Sequence, residues 1–211
     1  MTTGDDRLRA YVYLGLRDPV LARLADRHGR PDPFSWPAVG RRRLGTNVAA
    51  LTLHIVSQQI STAAALTIYD RVVAAAGVPV LSAEALGRLS VDELRAAGLS
   101  HAKALALAEL AHAQIEGRID LEHLDQLSDQ QAFDALVALR GVGPWSAQVF
   151  LISQLHRPDV LPSADVGLRV AVQREWRLPA RPTAQEVERR AEPWSPFRTY
   201  AAALLWASLQ A

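Results

Sequence analysis

Two glycines separated by one residue lie between two apolar runs in the last third of the chain. Residues 133–154 have the sequence FDALVALRGVGPWSAQVFLISQ, with Gly141, Gly143 and Pro144 at its centre. This pattern predicts a helix, a tight turn and a second helix opened by Pro144, because a first-turn proline lacks only an N–H that would be unpaired anyway. The glycines permit positive φ and leave the amides uncovered, so a phosphate could approach them at the positive end of the second helix. An ordinary helix–helix turn with a glycine cap is the alternative interpretation.

A carboxylate follows this turn after a short loop. Asp165 lies in the segment HRPDVLPSADVGLRVAVQREW, directly before another helical run. One interpretation is that Asp165 caps the helix that begins near Val166 by accepting a backbone N–H. The other is that the loop delivers a reactive carboxylate close to the glycine turn. The two interpretations are compatible.

Aromatic residues surround the same motifs. Trp145 begins the helix after the glycine turn, and the segment EPWSPFRTYAAALLWASL places four further aromatic residues around a helix predicted to start at Pro196: Trp194, Phe197, Tyr200 and Trp206. Large aromatic side chains at helical spacing usually belong to a core, which is the expectation for Trp194 and Phe197. Trp145 and Trp206 are the better candidates for lining a pocket.

The elements that position these residues are predicted to be helices. A long apolar stretch from Thr46 to Gly77 predicts a buried central helix, with a possible break between Gln58 and Ser61. Capping boxes mark three more helix starts, at Ser90 with Glu93, Ser128 with Gln131, and Thr183 with Glu186. Gly98 and Gly117 bracket a helix over 100–116. The whole pattern predicts about ten helices and few strands.

The first part of the chain carries less information. Apolar residues at helical spacing predict one buried helix face, formed by Leu8, Tyr11, Leu14 and Leu21. Residues 29–45 contain three prolines and the run Arg41, Arg42 and Arg43. This segment is interpreted as a connection between elements, and its arginines as a solvated loop.

Composition excludes several classes of protein. The chain has 211 residues, of which 49% are hydrophobic, so it can bury a core as one domain or two packed lobes. The absence of cysteine excludes disulfides, thiol catalysis and cysteine-ligated zinc or iron–sulfur clusters. The six histidines lack metal-ligand spacing, and His54 is expected to be a core or cleft residue. With no signal peptide or membrane span in the pattern, a cytoplasmic protein is expected, associated with the nucleoid if bacterial.

The motifs resemble one family in their order and spacing. The segments IVSQQISTAAALTIYDRV, AGLSHAKALALAELAHAQIEGRIDL, LRGVGPWSAQ, PSADVGLR and EPWSPFRTYAAALLW are similar to those of the helix-hairpin-helix (HhH-GPD) DNA glycosylases, specifically the DNA-3-methyladenine glycosylase II group. The likeness covers roughly residues 45–211. It implies an all-α protein of two helical lobes with an active-site cleft between them, in a compact form without the N-terminal β domain. Residues 46–135 would form a central lobe, and 1–45 with 136–211 the second lobe, hairpin and catalytic loop.

The resemblance also assigns roles to individual residues. Asp165 would be the catalytic carboxylate, and Gln59 would wedge into the duplex where a base has been flipped out. The base pocket would contain Trp145, Trp206 and Tyr200. The DNA backbone would be held by Arg140, Gly141, Gly143, Trp145, Ser146 and Ala147, with Lys103 and Arg169 as further cations. Backbone carbonyls of Val137, Leu139 and Val142 would ligate a monovalent cation.

The implied activity is removal of alkylated purines such as 3-methyladenine and 7-methylguanine. Trp145 stands where lyase-active relatives carry a Schiff-base lysine, so the implied enzyme is monofunctional and leaves an abasic site. It would act as a monomer on double-stranded DNA, without a membrane, cofactor or catalytic metal. A non-catalytic helix-hairpin-helix DNA-binding module and a helical protein-interaction bundle are the alternatives.

Overall fold

The computed structural model describes residues 4–35 and 44–210. Within these ranges the chain forms twelve α-helices, two short 3₁₀ helices and no strand, which confirms the predicted all-α class. The α-helices are α1 (Gly4–Arg17), α2 (Pro19–His28), α3 (Asn47–Ser57), α4 (Thr62–Ala76), α5 (Ala83–Gly87), α6 (Val91–Ala96), α7 (His101–Ile115), α8 (Asp129–Val137), α9 (Pro144–Ser153), α10 (Val166–Glu175), α11 (Ala184–Arg190) and α12 (Arg198–Ala207); the 3₁₀ helices span Leu121–Gln126 and Glu192–Trp194. The predicted loop of Arg41, Arg42 and Arg43 lies outside the described residues.

The helices group into two compact units. One unit contains the described residues 4–35 and 156–210, and the other contains 44–155. The boundary after the hairpin differs from the one inferred at 135, which assigned 136–155 to the other lobe. The physical reason is the apolar surface of α9, whose Val149, Phe150 and Ile152 are buried while the helix packs against α3.

The predicted central helix is divided where the sequence suggested a break. Thr46 caps α3, which ends at Ser57, and Ser61 caps α4, which ends before Gly77 with its positive φ of 67°. Both helices pack together within their unit. Eight of the eleven residues of α3 are buried, which explains the apolar run that it has in the sequence.

Local capping signals determine most of the other helix ends. All three predicted capping boxes are present, at the starts of α6, α8 and α11. Gly98 and Gly117 have positive φ on either side of α7. Pro144 occupies the first turn of α9 as predicted. Pro196 does not open a helix, because it precedes Phe197, the N-cap of α12.

The unit of residues 4–35 and 156–210 is built around α12. Helices α1, α2 and α10 each pack against it, and most of its residues are buried. Tyr11, Leu14 and Leu21 point into this core as predicted, whereas Leu8 is 43% exposed. Trp194 is fully buried, and its Nε1 donates a hydrogen bond to Asp18, the N-cap of α2, at 3.2 Å. No helix among the described residues has the length and apolar character needed to cross a bilayer.

Candidate active site

The hairpin joining α8 to α9 depends on its two glycines in different ways. Gly141 has a φ of 80°, and a Cβ on it would lie 2.7 Å from the Cβ of Ala106. Gly143 has an extended conformation, with φ at −84° and ψ at 170°, and a Cβ there would meet no atom within 4 Å. The sequence suggested positive φ for both glycines, but only Gly141 has it. Gly143 instead leaves open space at the start of α9.

The start of α9 has the properties of an anion site. Gly143 is its N-cap and supplies no side-chain hydrogen bond to the first turn. A helix N-terminus without such a cap presents amides and a positive dipole to an anion. Arg140 is exposed nearby in the sequence, while Ser146 is buried. Ala147 is unsuited to the predicted phosphate contact, because it is fully buried and its N–H already donates to the carbonyl of Gly143 at 3.0 Å.

The loop between α3 and α4 is tied to this hairpin. The side-chain nitrogen of Gln58 donates to the carbonyl of Gly141 at 2.9 Å and to Oγ of Ser146 at 3.2 Å. The next residue, Gln59, is exposed and has a φ of 59°, an unusual conformation for a residue other than glycine. The proposed wedge is therefore an exposed side chain on a loop that its neighbour anchors. The sequence predicted only a possible break in the central helix at Gln58, and it did not reveal this bond because the two ends of the bond are far apart in the chain.

Lys103, one of the cations predicted to contact DNA, bonds to the backbone of its own unit. Its Nζ donates to the carbonyls of Val56 and Gln58 at 2.8 and 2.7 Å, and so caps the C-terminal end of α3. Burial lowers the pKa of Lys103. Arg169 is similarly engaged, since its Nε donates to the carbonyl of Pro182 at 2.6 Å. Each of these cations thus bonds to backbone carbonyls of its own unit. Their contact with DNA phosphates remains a prediction.

The carbonyls predicted to ligate a cation lie in the turn that closes α8. The carbonyl of Leu139 accepts the N–H of Val142 at 3.2 Å, and both residues are buried. The carbonyl of Gly141, which was not in the predicted set, accepts from Gln58. Among the described residues, no group of histidine and carboxylate side chains could hold a metal ion. The cation at Val137, Leu139 and Val142 remains a prediction.

Asp165 has the helix-capping role that one interpretation of the sequence predicted. It is the N-cap of α10, and its Oδ1 accepts the backbone N–H of Leu168 at 2.7 Å. The same oxygen accepts the indole N–H of Trp206 at 3.2 Å. Gly167 gives the carboxylate room, because a Cβ there would lie 3.2 Å from Oδ1. Asp165 and Trp206 are both half-buried, so the carboxylate is oriented by two donors and still meets solvent.

The other pocket candidates differ in exposure. Trp145 is 42% exposed at the start of α9, and its pocket role remains a prediction. Tyr200 is only 2% exposed and packs edge-on against Tyr11, Phe34 and Phe197. Burial raises the pKa of its hydroxyl, with further contributions from nearby carboxylates. The structure therefore places Tyr200 in the aromatic core, and the predicted pocket role does not fit it.

A family model and a curated bacterial protein both match most of this chain. A family model described as "HhH-GPD superfamily base excision DNA repair protein" matches residues 53–196. The Bacillus subtilis protein YfjP is 30% identical over 162 residues, which are 74% of this chain and 56% of that protein. The match thus spans little more than half of that relative's length.

Two solved structures are similar over nearly their full length. The 3-methyladenine DNA glycosylase Mag1 of Schizosaccharomyces pombe, in complex with abasic DNA, has a TM-score of 0.75 and 28% identity, covering 96% of this chain and 97% of Mag1. A DNA-3-methyladenine glycosidase from Bacillus halodurans has a TM-score of 0.83 and 26% identity, covering 99% and 91% respectively.

Proposed function

Because the chain belongs to the HhH-GPD superfamily of base excision DNA repair proteins, we propose that it is a monofunctional DNA glycosylase acting on alkylated purines. It would bind double-stranded DNA as a monomer, flip out a base such as 3-methyladenine or 7-methylguanine, and hydrolyse the N-glycosidic bond. The names of the two solved structures support this substrate class. The intact strand with an abasic site would be the product.

The observation that carries the proposal is the doubly oriented carboxylate of Asp165. Two N–H donors, from Leu168 and Trp206, converge on Oδ1. Hydrogen bonds of this kind fix the direction of the carboxylate. Positive charge develops on the sugar as a glycosidic bond breaks, and a fixed anion stabilises that charge without reorganising. Asp18 has the same two kinds of donor but is buried, whereas Asp165 is half-buried and can meet a ligand.

Access to the bond requires that the nucleotide leave the helix. Flipping costs a few kcal/mol of stacking and pairing, and least for a damaged base. We assign Gln59 to fill the gap, because its side chain is exposed on a loop that Gln58 and Lys103 fasten. An alkylated purine is cationic and already a good leaving group, so recognition matters more than general-acid catalysis. Stacking of the cation on an indole contributes roughly 0.5–2 kcal/mol, and Trp145 and Trp206 are the candidates.

Bond cleavage then uses water as the nucleophile. Asp165 would stabilise the oxocarbenium-like sugar and orient or deprotonate the attacking water. The position after the hairpin is Trp145, which has no amine and cannot form an imine with the sugar. Strand cleavage by a lyase step is therefore not expected. We propose no cofactor, apart from a structural monovalent cation at the hairpin.

Affinity for DNA would come mainly from phosphates. The open N-terminus of α9 at Gly143 and the exposed side chain of Arg140 are suited to a backbone phosphate. Contacts of this type carry little sequence information and weaken as salt is raised. We therefore expect weak sequence preference and a marked salt dependence.

The test is release of methylated purines from alkylated duplex DNA by the wild type and by Asp165→Asn. Asparagine retains an oxygen that can cap α10, so the variant should fold. We expect its rate to fall by about 10²-fold or more, since the anion is lost. Asp18→Asn is the matched control: Asp18 is also a helix N-cap that accepts one backbone N–H, from Val20, and one indole N–H, from Trp194. If folded by circular dichroism, it should retain the wild-type rate.

Strand nicking should be scored in the same assay before and after alkali. Nicks only after alkali would support a monofunctional enzyme. Salt-sensitive binding without base release by the wild type would instead favour a non-catalytic DNA-binding module. Equal loss of rate in both aspartate variants would mean that Asp165 acts through stability alone.

A further inference from the structure

Helices α2 and α10 and the residues that follow α10 bring four arginines to one groove. Arg23 and Arg27 come from α2, Arg174 lies near the end of α10, and Arg177 lies just beyond it. Together with Glu175 these residues line a groove of about 760 Å³. All five belong to the unit of residues 4–35 and 156–210. Neither the hairpin nor Asp165 contributes to it.

Among the residues that the structure describes, the groove contains four arginine side chains but only one carboxylate, that of Glu175. Glu175 accepts a hydrogen bond from Nε of Arg174 at 3.0 Å and lies 3.7 Å from Nη1 of Arg27. Across the described ranges, no carboxylate forms an ion pair with Arg23 or Arg177. The whole chain carries 23 basic and 22 acidic residues, so the excess results from placement. Clustered cations repel one another and raise the local concentration of anions.

Stabilisation of helix ends accounts for only part of the cluster. Arg27 and Arg174 lie in the last turns of α2 and α10, where cations interact favourably with the helix dipole. That effect falls off within one turn. Arg23 lies earlier in α2, and Arg177 follows the end of α10. Their convergence on the same groove needs another reason.

Arg177 has a left-handed backbone conformation, which is uncommon for residues other than glycine. Its φ is 52°, and the N–H of Leu178 bonds to the carbonyl of Gln173 at 2.9 Å, which closes the end of α10. Glycine is the usual residue at this left-handed position, because it has no Cβ to strain. An arginine here keeps its guanidinium at the groove despite an unfavourable backbone conformation. Such outliers are found preferentially at functional positions.

We propose that this arginine groove binds phosphate groups, and that its occupant is the backbone of DNA. The planar guanidinium forms paired hydrogen bonds with phosphate oxygens, which makes arginine the favoured residue for this ligand. The groove is distinct from the candidate catalytic site, since Asp165 precedes the first residue of α10 and the arginines lie at its other end, about 15 Å away along the helix. Only the choice of DNA as the source of phosphate rests on the proposed function.

A neighbouring groove extends the basic character along the chain. It begins at Leu178 and includes Arg181, Arg189 and Arg190, against the carboxylates of Asp18 and Glu186. Arg190 lies over the ring of Trp176 at 5.2 Å and is thereby held in place. A polyanion longer than one phosphate, such as a DNA strand, would meet cations in both grooves.

The test is a double variant, Arg23→Gln with Arg177→Gly. Glycine suits the left-handed backbone at 177, so the variant should fold, and neither residue belongs to the candidate catalytic site. Binding to an unmodified long duplex is measured by fluorescence anisotropy at several salt concentrations. We expect the slope of log affinity against log salt to become shallower by about two, as for the loss of two phosphate contacts. Arg88→Gln with Arg95→Gln, which removes equal charge from exposed positions in the other unit, should leave the slope unchanged.

Two further measurements separate the possible outcomes. Inorganic pyrophosphate alone should raise the melting temperature of the wild type and not that of the groove variant. If only this pyrophosphate effect is lost and the DNA slope stays the same, the occupant is a free phosphate compound, and the assignment to DNA is wrong. If neither quantity changes, the groove is not a phosphate site. Release of methylated bases from a short duplex should be equal in wild type and groove variant, and its absence in both would refute the proposed function alone.

Discussion

Two buried threonines differ in whether their hydroxyl groups form hydrogen bonds. Thr52 in α3 is fully buried, and no partner for its Oγ1 exists among the described residues. Thr199 in α12 is equally buried, but its Oγ1 donates to the carbonyl of Arg157 at 2.7 Å and accepts the N–H of Val160 at 2.9 Å. A buried hydroxyl without a partner costs free energy, whereas a bonded one ties distant segments together.

We predict that replacing each threonine by valine will change stability in opposite directions. Thr52→Val removes an unpaired hydroxyl and should raise the free energy of unfolding by about 1 kcal/mol. Thr199→Val leaves the N–H of Val160 unpaired and should lower it by about 2 kcal/mol. Urea denaturation of the two variants beside the wild type measures both effects. Destabilisation by Thr52→Val would show that its hydroxyl has a partner such as a buried water.

At the scale of elements, the two glycines of the hairpin between α8 and α9 have different roles. Gly141 needs its positive φ and has no room for a side chain beside Ala106, whereas Gly143 has extended backbone and open space. The anchoring bond from Gln58 ends on the carbonyl of Gly141. The geometry of the hairpin therefore depends on Gly141, and access to its surface depends on Gly143.

Alanine at these two positions is predicted to have different effects. Gly141→Ala combines an unfavourable φ with a clash and should lower the free energy of unfolding by about 2 kcal/mol or more. Gly143→Ala should change it by less than about 0.5 kcal/mol. Its methyl group should nevertheless weaken DNA binding, because it covers the surface that a phosphate would approach. Denaturation and DNA anisotropy on both variants check this; unchanged affinity of folded Gly143→Ala would argue against a phosphate at that amide surface.

At the scale of the whole molecule, the pH dependence of stability has contributions from groups whose pKa values are lowered by folding. Backbone hydrogen bonds from the N-caps Ser90 and Thr183 hold the pKa values of Glu93 and Glu186 below their usual range. Their contribution to the free energy of unfolding is complete above the ordinary pKa of a glutamate. It is lost as pH falls from that value through the lowered pKa of the folded state. Burial lowers the pKa of His54 from 6.5 to about 4, where its Nε2 lies 3.2 Å from Oγ of Ser153. His54 is half-buried, so the structure leaves open both alternatives that its position suggested, a core or a cleft residue.

The titration of His54 predicts a loss of stability before the carboxylates titrate. The unfolded chain takes up a proton at His54 below pH 6.5, but the folded chain does so only near pH 4. Stability should therefore decline as pH falls from about 6.5 to 4, by up to about 3 kcal/mol. Denaturation midpoints over this range should be flatter for His54→Gln, which keeps a polar group near Ser153. An equal decline in the variant would assign the pH dependence to other groups.

The sequence by itself determined the helical class and most helix boundaries. The break between α3 and α4, the three capping boxes and the first-turn role of Pro144 all follow from residues within a few positions of one another. A side chain caps an amide three residues away, and proline constrains its own backbone, so these signals are visible without tertiary contacts. The same locality explains why Asp165 was recognised as a helix cap.

Tertiary structure alone decided which distant residues meet. The bond from Gln58 to Gly141, the capping of α3 by Lys103 and the indole donor from Trp206 to Asp165 each join separate segments of the chain. For Tyr200 the resemblance implied a pocket, but the aromatic rings packed around it form a core. Spacing along the chain specifies the type of element and its apolar face. The partner of each side chain is set by how helices pack, and that information is distributed over the whole sequence.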